Sequence, residues 1–89
     1  MKKIWSETAW NDYLYWQKQD KKTLKKINDL IKDIERNKYT GLGSPEPLKG
    51  DLAGFWSRHI DSKNRLIYNI DEIHETIAIA QCRGHYKDK

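Results

Sequence analysis

Three short segments carry the side chains that could do chemistry. The first is Pro45-Glu46-Pro47. A carboxylate between two prolines sits on a stiff backbone with few accessible conformers, so little entropy is lost in positioning it as a general base. The second is Arg65, beside the polar turn Asp61-Ser62-Lys63-Asn64. Its guanidinium forks onto phosphate oxygens, where a lysine would be a mobile point charge. The third is Arg83-Gly84-His85-Tyr86. Histidine is suited to proton transfer near neutral pH, and tyrosine can stack on a base. A base, a phosphate fork and an acid are what RNA transesterification needs. The 2′-OH loses its proton, its oxygen attacks the adjacent phosphorus, and the 5′ oxygen is protonated as it leaves. Positioned acid–base groups contribute about 10²–10⁴-fold to such a step, and stabilisation of the developing charge often contributes more than any other effect. Each group also has a plainer reading: a solvated loop carboxylate, a surface arginine, a solvated terminal histidine. The residues by themselves leave both readings open.

The elements that must hold these groups follow from the patterning. Lys2 to Trp5 is a short candidate strand, and Ser6 can cap the helix that follows. Trp10, Tyr13, Leu14 and Gln17 fall at helical spacing, which predicts aromatic core. Asp20 reads as a second N-cap, ahead of the stripe Leu24, Ile27, Leu30, Ile31 and Ile34. The other face of that helix carries Lys22, Lys25, Lys26, Asp29, Lys32, Asp33 and Arg36. A solvated face with ion pairs such as Lys25–Asp29 is the ordinary reading, and a surface leaning on a large polyanion is the functional one. Asn37 to Gly50 reads as a long loop, without the Gly-Lys-Ser/Thr ending of a phosphate cradle. Strands are predicted over 54–60, 65–70 and 76–83, joined by short turns into an antiparallel meander. Two helices covering one face give a two-layer α+β fold. If the 71–75 turn makes an odd-length reversal, Arg65, Gln81, Arg83 and His85 share a sheet face. An even-length reversal sets them on opposite faces.

Composition bounds the rest. The chain has 89 residues, which predicts one domain over 1–89, with four Trp, five Tyr and one Phe to fill a thin core. The net charge of +4 lies in residues 1–45, which hold ten Lys/Arg against six Asp/Glu; residues 46–89 hold seven of each. The apolar runs are too short to span a bilayer, and the basic start has no apolar stretch behind it to make a secretory signal. One cysteine, Cys82, forms no internal disulfide, so a reducing cytoplasm is expected. His59, His74, His85 and Cys82 lack metal-ligand spacing, so no metal and no cofactor are expected. Cys82 lies in an apolar strand, where a thiol packs rather than reacts.

Across nearly its whole length the chain also resembles the Txe/YoeB toxins of bacterial type II toxin–antitoxin systems. The resemblance runs through Ile4-Trp5-Ser6, Trp10, Asp12-Tyr13-Leu14-Tyr15-Trp16, Lys25-Lys26-Ile27-Asn28 and Leu30-Ile31-Lys32-Asp33. It continues through Pro45-Glu46-Pro47-Leu48-Lys49, Gly54-Phe55-Trp56-Ser57-Arg58, Arg65-Leu66, Tyr68 and Cys82-Arg83-Gly84-His85-Tyr86. It implies a RelE-like microbial RNase fold, with two N-terminal helices on a mainly antiparallel four- to five-stranded sheet. It implies a metal-independent, ribosome-dependent mRNA endonuclease acting in the decoding site of the 70S ribosome. Products would carry a 2′,3′-cyclic or 3′-phosphate and a 5′-OH. On the matching positions Glu46 is the base, Arg65 stabilises the phosphate, His85 is the acid and Tyr86 orients the substrate. Lys49 and Arg58 fall where RNA contacts are expected. The implied partners are ribosomal RNA, an antitoxin of the YefM/Phd type and a second copy of the chain, with no membrane. Two departures stand out: Arg58-His59 where the family has Arg-Arg, and Lys63 near a position that is often acidic. They motivate the alternative of a non-catalytic nucleic-acid or antitoxin-binding module on the same fold.

Overall fold

The computed structural model describes residues 1–85. The chain runs β1 (Lys2–Trp5), α1 (Glu7–Gln19), α2 (Lys21–Asn37), β2 (Glu46–Pro47), a single 3₁₀ turn (Gly50–Leu52), β3 (Trp56–His59), β4 (Arg65–Asp71) and β5 (Thr76–Gln81). Local chemistry sets the helix ends. Ser6 Oγ accepts the Ala9 N–H at 2.9 Å and caps α1. Asp20 serves both helices: its N–H closes α1 on the Trp16 carbonyl, and its carboxylate accepts the Lys22 and Thr23 N–H groups that open α2. One residue, Asp20, separates α1 from α2, and the two helices pack against each other.

The sheet order is β1-β5-β4-β3-β2, with β1 parallel to β5 and every other pair antiparallel. The predicted meander is β3–β4–β5. The two-residue strand β2 falls inside the segment read as loop. Both helices cover one face. Ile27, Leu30, Ile31 and Ile34 of α2 pack there with Leu66 and Tyr68 of β4, Ile77 and Ile79 of β5, Ala9 and Cys82. The α1 aromatics are less buried than their spacing predicts. Trp10 is 44% exposed, stacked on Tyr13 at 5.8 Å and set edge-on to Trp5. Among the described residues no helix is long and apolar enough to cross a membrane.

The β4–β5 hairpin resolves the question of faces in an unexpected way. Pairing starts as Asp71↔Thr76 and runs to Tyr68↔Ile79, the parity that would separate Gln81 from Arg65. One extra residue on β5, Ala80, then shifts the register, so that Gln81 stands opposite Ile67. The bulge is held from α1. Ser6 Oγ donates to the Ala80 carbonyl at 2.7 Å, and the Ser6 N–H bonds the Ile79 carbonyl at 3.0 Å.

Candidate active site

Because paired residues share a face, the register defines the floor of the site. Glu46 stands opposite Ser57, Ser57 opposite Ile67, and Ile67 opposite Gln81. Arg65 stands opposite His59 in the next row. This is the face away from the helices, since Leu66 and Tyr68 point into the helix-covered core. Two strand spacings and a two-residue offset put the Glu46 and Arg65 Cα atoms about 12 Å apart. That leaves room for a phosphodiester between the two side chains. Ser57 Oγ is buried in this floor and takes no hydrogen-bond partner among the described residues.

Arg65 is held by the turn before it. Its Nη1 donates to the carbonyls of Asp61 (2.8 Å) and Asn64 (3.1 Å). The rest of the fork takes no partner among the described residues, which leaves N–H groups for an anion. Asp61 organises the turn: its Oδ1 accepts the backbone N–H groups of Lys63 and Asn64 at 2.8 and 2.7 Å. Burial pushes the Asp61 carboxyl up, but hydrogen bonds from Asn64 and these N–H groups outweigh it and hold it below the usual range.

The segment leading to His85 is tied down by residues far away in sequence. The Cys82 N–H donates to Asp12 Oδ2 at 3.0 Å, and Trp16 Nε1 donates to the Cys82 carbonyl at 2.8 Å. The Gly84 N–H donates to Asn64 Oδ1 at 2.7 Å, and the Arg65 N–H donates to the Gly84 carbonyl at 3.0 Å. His85, exposed, follows directly. The start of β4 therefore lies beside the backbone that carries His85. Asp12 is raised by its burial, against the Cys82 N–H and the charge of Arg83. The Cys82 thiol is pushed up to about 12 by burial and by Asp12, so it stays protonated and packs against the Ala9 carbonyl.

Other expectations land elsewhere. Arg83 does not join the floor: its guanidinium lies over the Tyr15 ring of α1, 3.6 Å from the centroid, because β5 ends at Gln81 and strand alternation ends with it. Lys49 is exposed just past β2. Tyr86 lies outside the described residues.

Arg58, expected to touch RNA, needs a correction. It is fully buried, and all five guanidinium N–H groups are used within the protein. Nε donates to Tyr68 Oη (3.1 Å), Nη1 to Asp33 Oδ2 (2.5 Å) and the Leu42 carbonyl (3.0 Å), and Nη2 to the carbonyls of Lys38 (3.2 Å) and Thr40 (2.8 Å). On β3 it faces the core, opposite Leu66, while its neighbour His59 faces the floor. Its work is to fold the loop that delivers Glu46. Gly41 fits that loop with φ +108°, where an added Cβ would overlap Asp33 Oδ2. Sequence reading missed Asp12, Trp16, Asp33 and Asn64 as supports, because each acts on a partner distant in sequence or through the backbone. Among the described residues no group of three or more His, Cys, Asp or Glu could hold a metal ion.

Residues 5–86 match the family model for the YoeB-like toxin of bacterial type II toxin–antitoxin systems. The chain belongs to that family. It is 55% identical to Toxin YoeB of Escherichia coli K12 over 86 residues, covering 97% of this chain and 100% of that one. Its fold superposes on a YoeB/ParE toxin from Agrobacterium tumefaciens with a TM-score of 0.94 at 45% identity, over 97% of this chain and 100% of that one. It also resembles YoeB from Staphylococcus aureus, at 45% identity over 97% of this chain and 98% of each S. aureus chain. That protein has been solved as a dimer (TM-score 0.89) and in a heterotetrameric YoeB–YefM toxin–antitoxin complex (TM-score 0.88). The two helices on a five-stranded mixed sheet are the RelE-like toxin fold of these YoeB-like neighbours.

Proposed function

We propose that this YoeB-like toxin is a ribosome-dependent mRNA endonuclease that blocks translation. What supports the reading is the shared floor: Glu46 and Arg65 on one sheet face, with the backbone before His85 bonded to Arg65. In the proposed reaction Glu46 takes the proton of the 2′-OH. The 2′ oxygen attacks phosphorus, and the Arg65 N–H groups that take no partner among the described residues neutralise the charge that builds on the phosphorane. His85 protonates the departing 5′ oxygen. The products are a 2′,3′-cyclic phosphate and a 5′-OH, and no step of this reaction calls for a metal or cofactor. Tyr86 orients the substrate and Lys49 contacts its backbone. Arg58 serves from beneath, by shaping the loop before Glu46.

The thin domain selects its substrate through the ribosome, which presents mRNA in the decoding site. The lysine-rich face of α2 docks on ribosomal RNA. A YefM-type antitoxin masks the cleft; YoeB and YefM of S. aureus form a heterotetrameric complex. The exposed Trp10 and Leu14, one turn apart on α1, suit a face between two copies, in keeping with the S. aureus dimer. The site of action is the cytoplasm. The test is to add partner-free protein to purified ribosomes translating a defined mRNA and map ends by primer extension. Cleavage confined to the decoding site is expected. Intact mRNA would instead favour a non-catalytic binding module on this fold.

A further inference from the structure

Two peptide units flank Gly84, and both are tied to the start of β4. The N–H of the first bonds the Asn64 side chain at 2.7 Å. The carbonyl of the second, the peptide that enters His85, accepts the Arg65 N–H at 3.0 Å. Gly84 turns the chain here with φ +80°, and a glycine hinge holds the residue after it in place only when its neighbours are clamped. Asp12 and Trp16 act two residues further back, on Cys82. Gln81 reaches the Arg83 and Gly84 carbonyls only at 3.3 and 3.5 Å. Among the described contacts, Asn64 is therefore the side chain that makes a short bond to the peptide before Gly84, one residue ahead of His85. The same residue belongs to the Arg65 rack. Its carbonyl accepts Arg65 Nη1, and its Nδ2 donates to both Asp61 oxygens at 3.1 and 3.0 Å.

We infer that Asn64 is a positioning residue that sets the place of His85 relative to Arg65. This rests on the reading of His85 as the general acid. Asn64 touches no reacting atom; it acts through the Gly84 backbone. Removing its acceptor frees the Gly84 N–H and lets His85 drift from the leaving oxygen. A displacement of about 1 Å costs on the order of 10²-fold in rate.

The test compares two substrates. A short mRNA in the decoding site of purified ribosomes is cut under single turnover, once with the natural 5′ oxygen at the scissile bond and once with sulfur in its place. Sulfur leaves as a thiolate without a proton, so a defect confined to acid catalysis disappears. Asn64→Ala is expected to be about 10²-fold slow on the oxygen substrate and close to wild type on the sulfur one. Ribosome affinity should not change. His85→Ala should show the same pattern, and Glu46→Gln should be slow on both. Asn64→Ala at full speed on oxygen, or equally slow on both, overturns the role of Asn64. Failure of His85→Ala to recover on sulfur overturns the acid assignment beneath it. Should Asn64→Ala not fold, the exchange Asp61→Asn with Asn64→Asp rebuilds the hydrogen bonds with amide and carboxylate swapped. That variant is expected to cut the oxygen substrate within about fivefold of wild type. A folded exchange variant that is slow on both substrates overturns the inference too.

Discussion

Replacing Asp33 by Asn removes one charge from the clamp beneath the Glu46 loop while keeping its shape. The carboxylate accepts Arg58 Nη1 and the Leu42 N–H on Oδ2 and the Asn37 amide on Oδ1. Its side chain is 15% exposed and that of Arg58 0%, so solvent screens the pair little. Arg58 stays charged in the variant, so the Leu42 and Asn37 hydrogen bonds are the ones that pass from the charged range of about 1.5–3 kcal/mol to the neutral range of about 0.5–1.5, and Asp33→Asn should cost at least about 1–2 kcal/mol. At about 4–8 °C per kcal/mol for a chain of this size, the melting temperature should fall by about 5–15 °C. The loss should depend on pH. The Arg58 hydrogen bond, against the opposing effect of burial, holds the Asp33 carboxyl below its usual range. A folded pKa below the unfolded value of about 3.9 gives stability that is present above that value and fades as pH falls through the folded pKa. The gap between wild type and Asp33→Asn should therefore be full at pH 7 and close below about pH 4. Unfolding followed by circular dichroism across pH measures it. An unchanged melting temperature at pH 7, or a gap that persists undiminished into acid, would refute the clamp.

Gly41→Ala should destabilise by about 1–3 kcal/mol, read from denaturant midpoints, because φ is +108° and the new Cβ would meet Asp33 Oδ2. Its cleavage rate should fall with the order of the Glu46 loop. Neutralising Lys22, Lys25 and Lys26 together should weaken ribosome binding and flatten its salt dependence in filter-binding titrations. Lys25 already pairs with Asp29 at 3.0 Å, so binding that stays unchanged would return this face to solvent-exposed surface held by local ion pairs.

The helices were legible because capping residues and a 3.6-residue stripe are local signals, and Ser6, Asp20 and the Ile27–Ile34 row carried them. The meander was legible from alternation and turns. β2 was not: two residues, one of them a proline, make no periodic signal, and only pairing with Ser57 and Trp56 defines the strand. The bulge at Ala80 was hidden for a similar reason. It follows from how α1 meets β5, and it reverses the face that the turn length implies. The chemistry-bearing types Glu46, Arg65 and His85 stood out in the sequence, yet the common face of Glu46 and Arg65 depends on long-range register. Arg58 shows the opposite failure. An arginine reads as a surface cation until its position on β3 turns it inward, onto carbonyls at Lys38, Thr40 and Leu42 that no pattern could foretell.

The chemistry is tested at the new RNA ends. Cleavage products made on purified ribosomes by the wild-type chain, and any made by Glu46→Gln, can be resolved by mass spectrometry. Wild type should leave a 2′,3′-cyclic phosphate or 3′-phosphate facing a 5′-OH, and Glu46→Gln should be slowed by about 10²–10⁴-fold with its fold intact. A 3′-hydroxyl end from the wild type, or undiminished cutting by Glu46→Gln, would contradict transesterification with Glu46 as base.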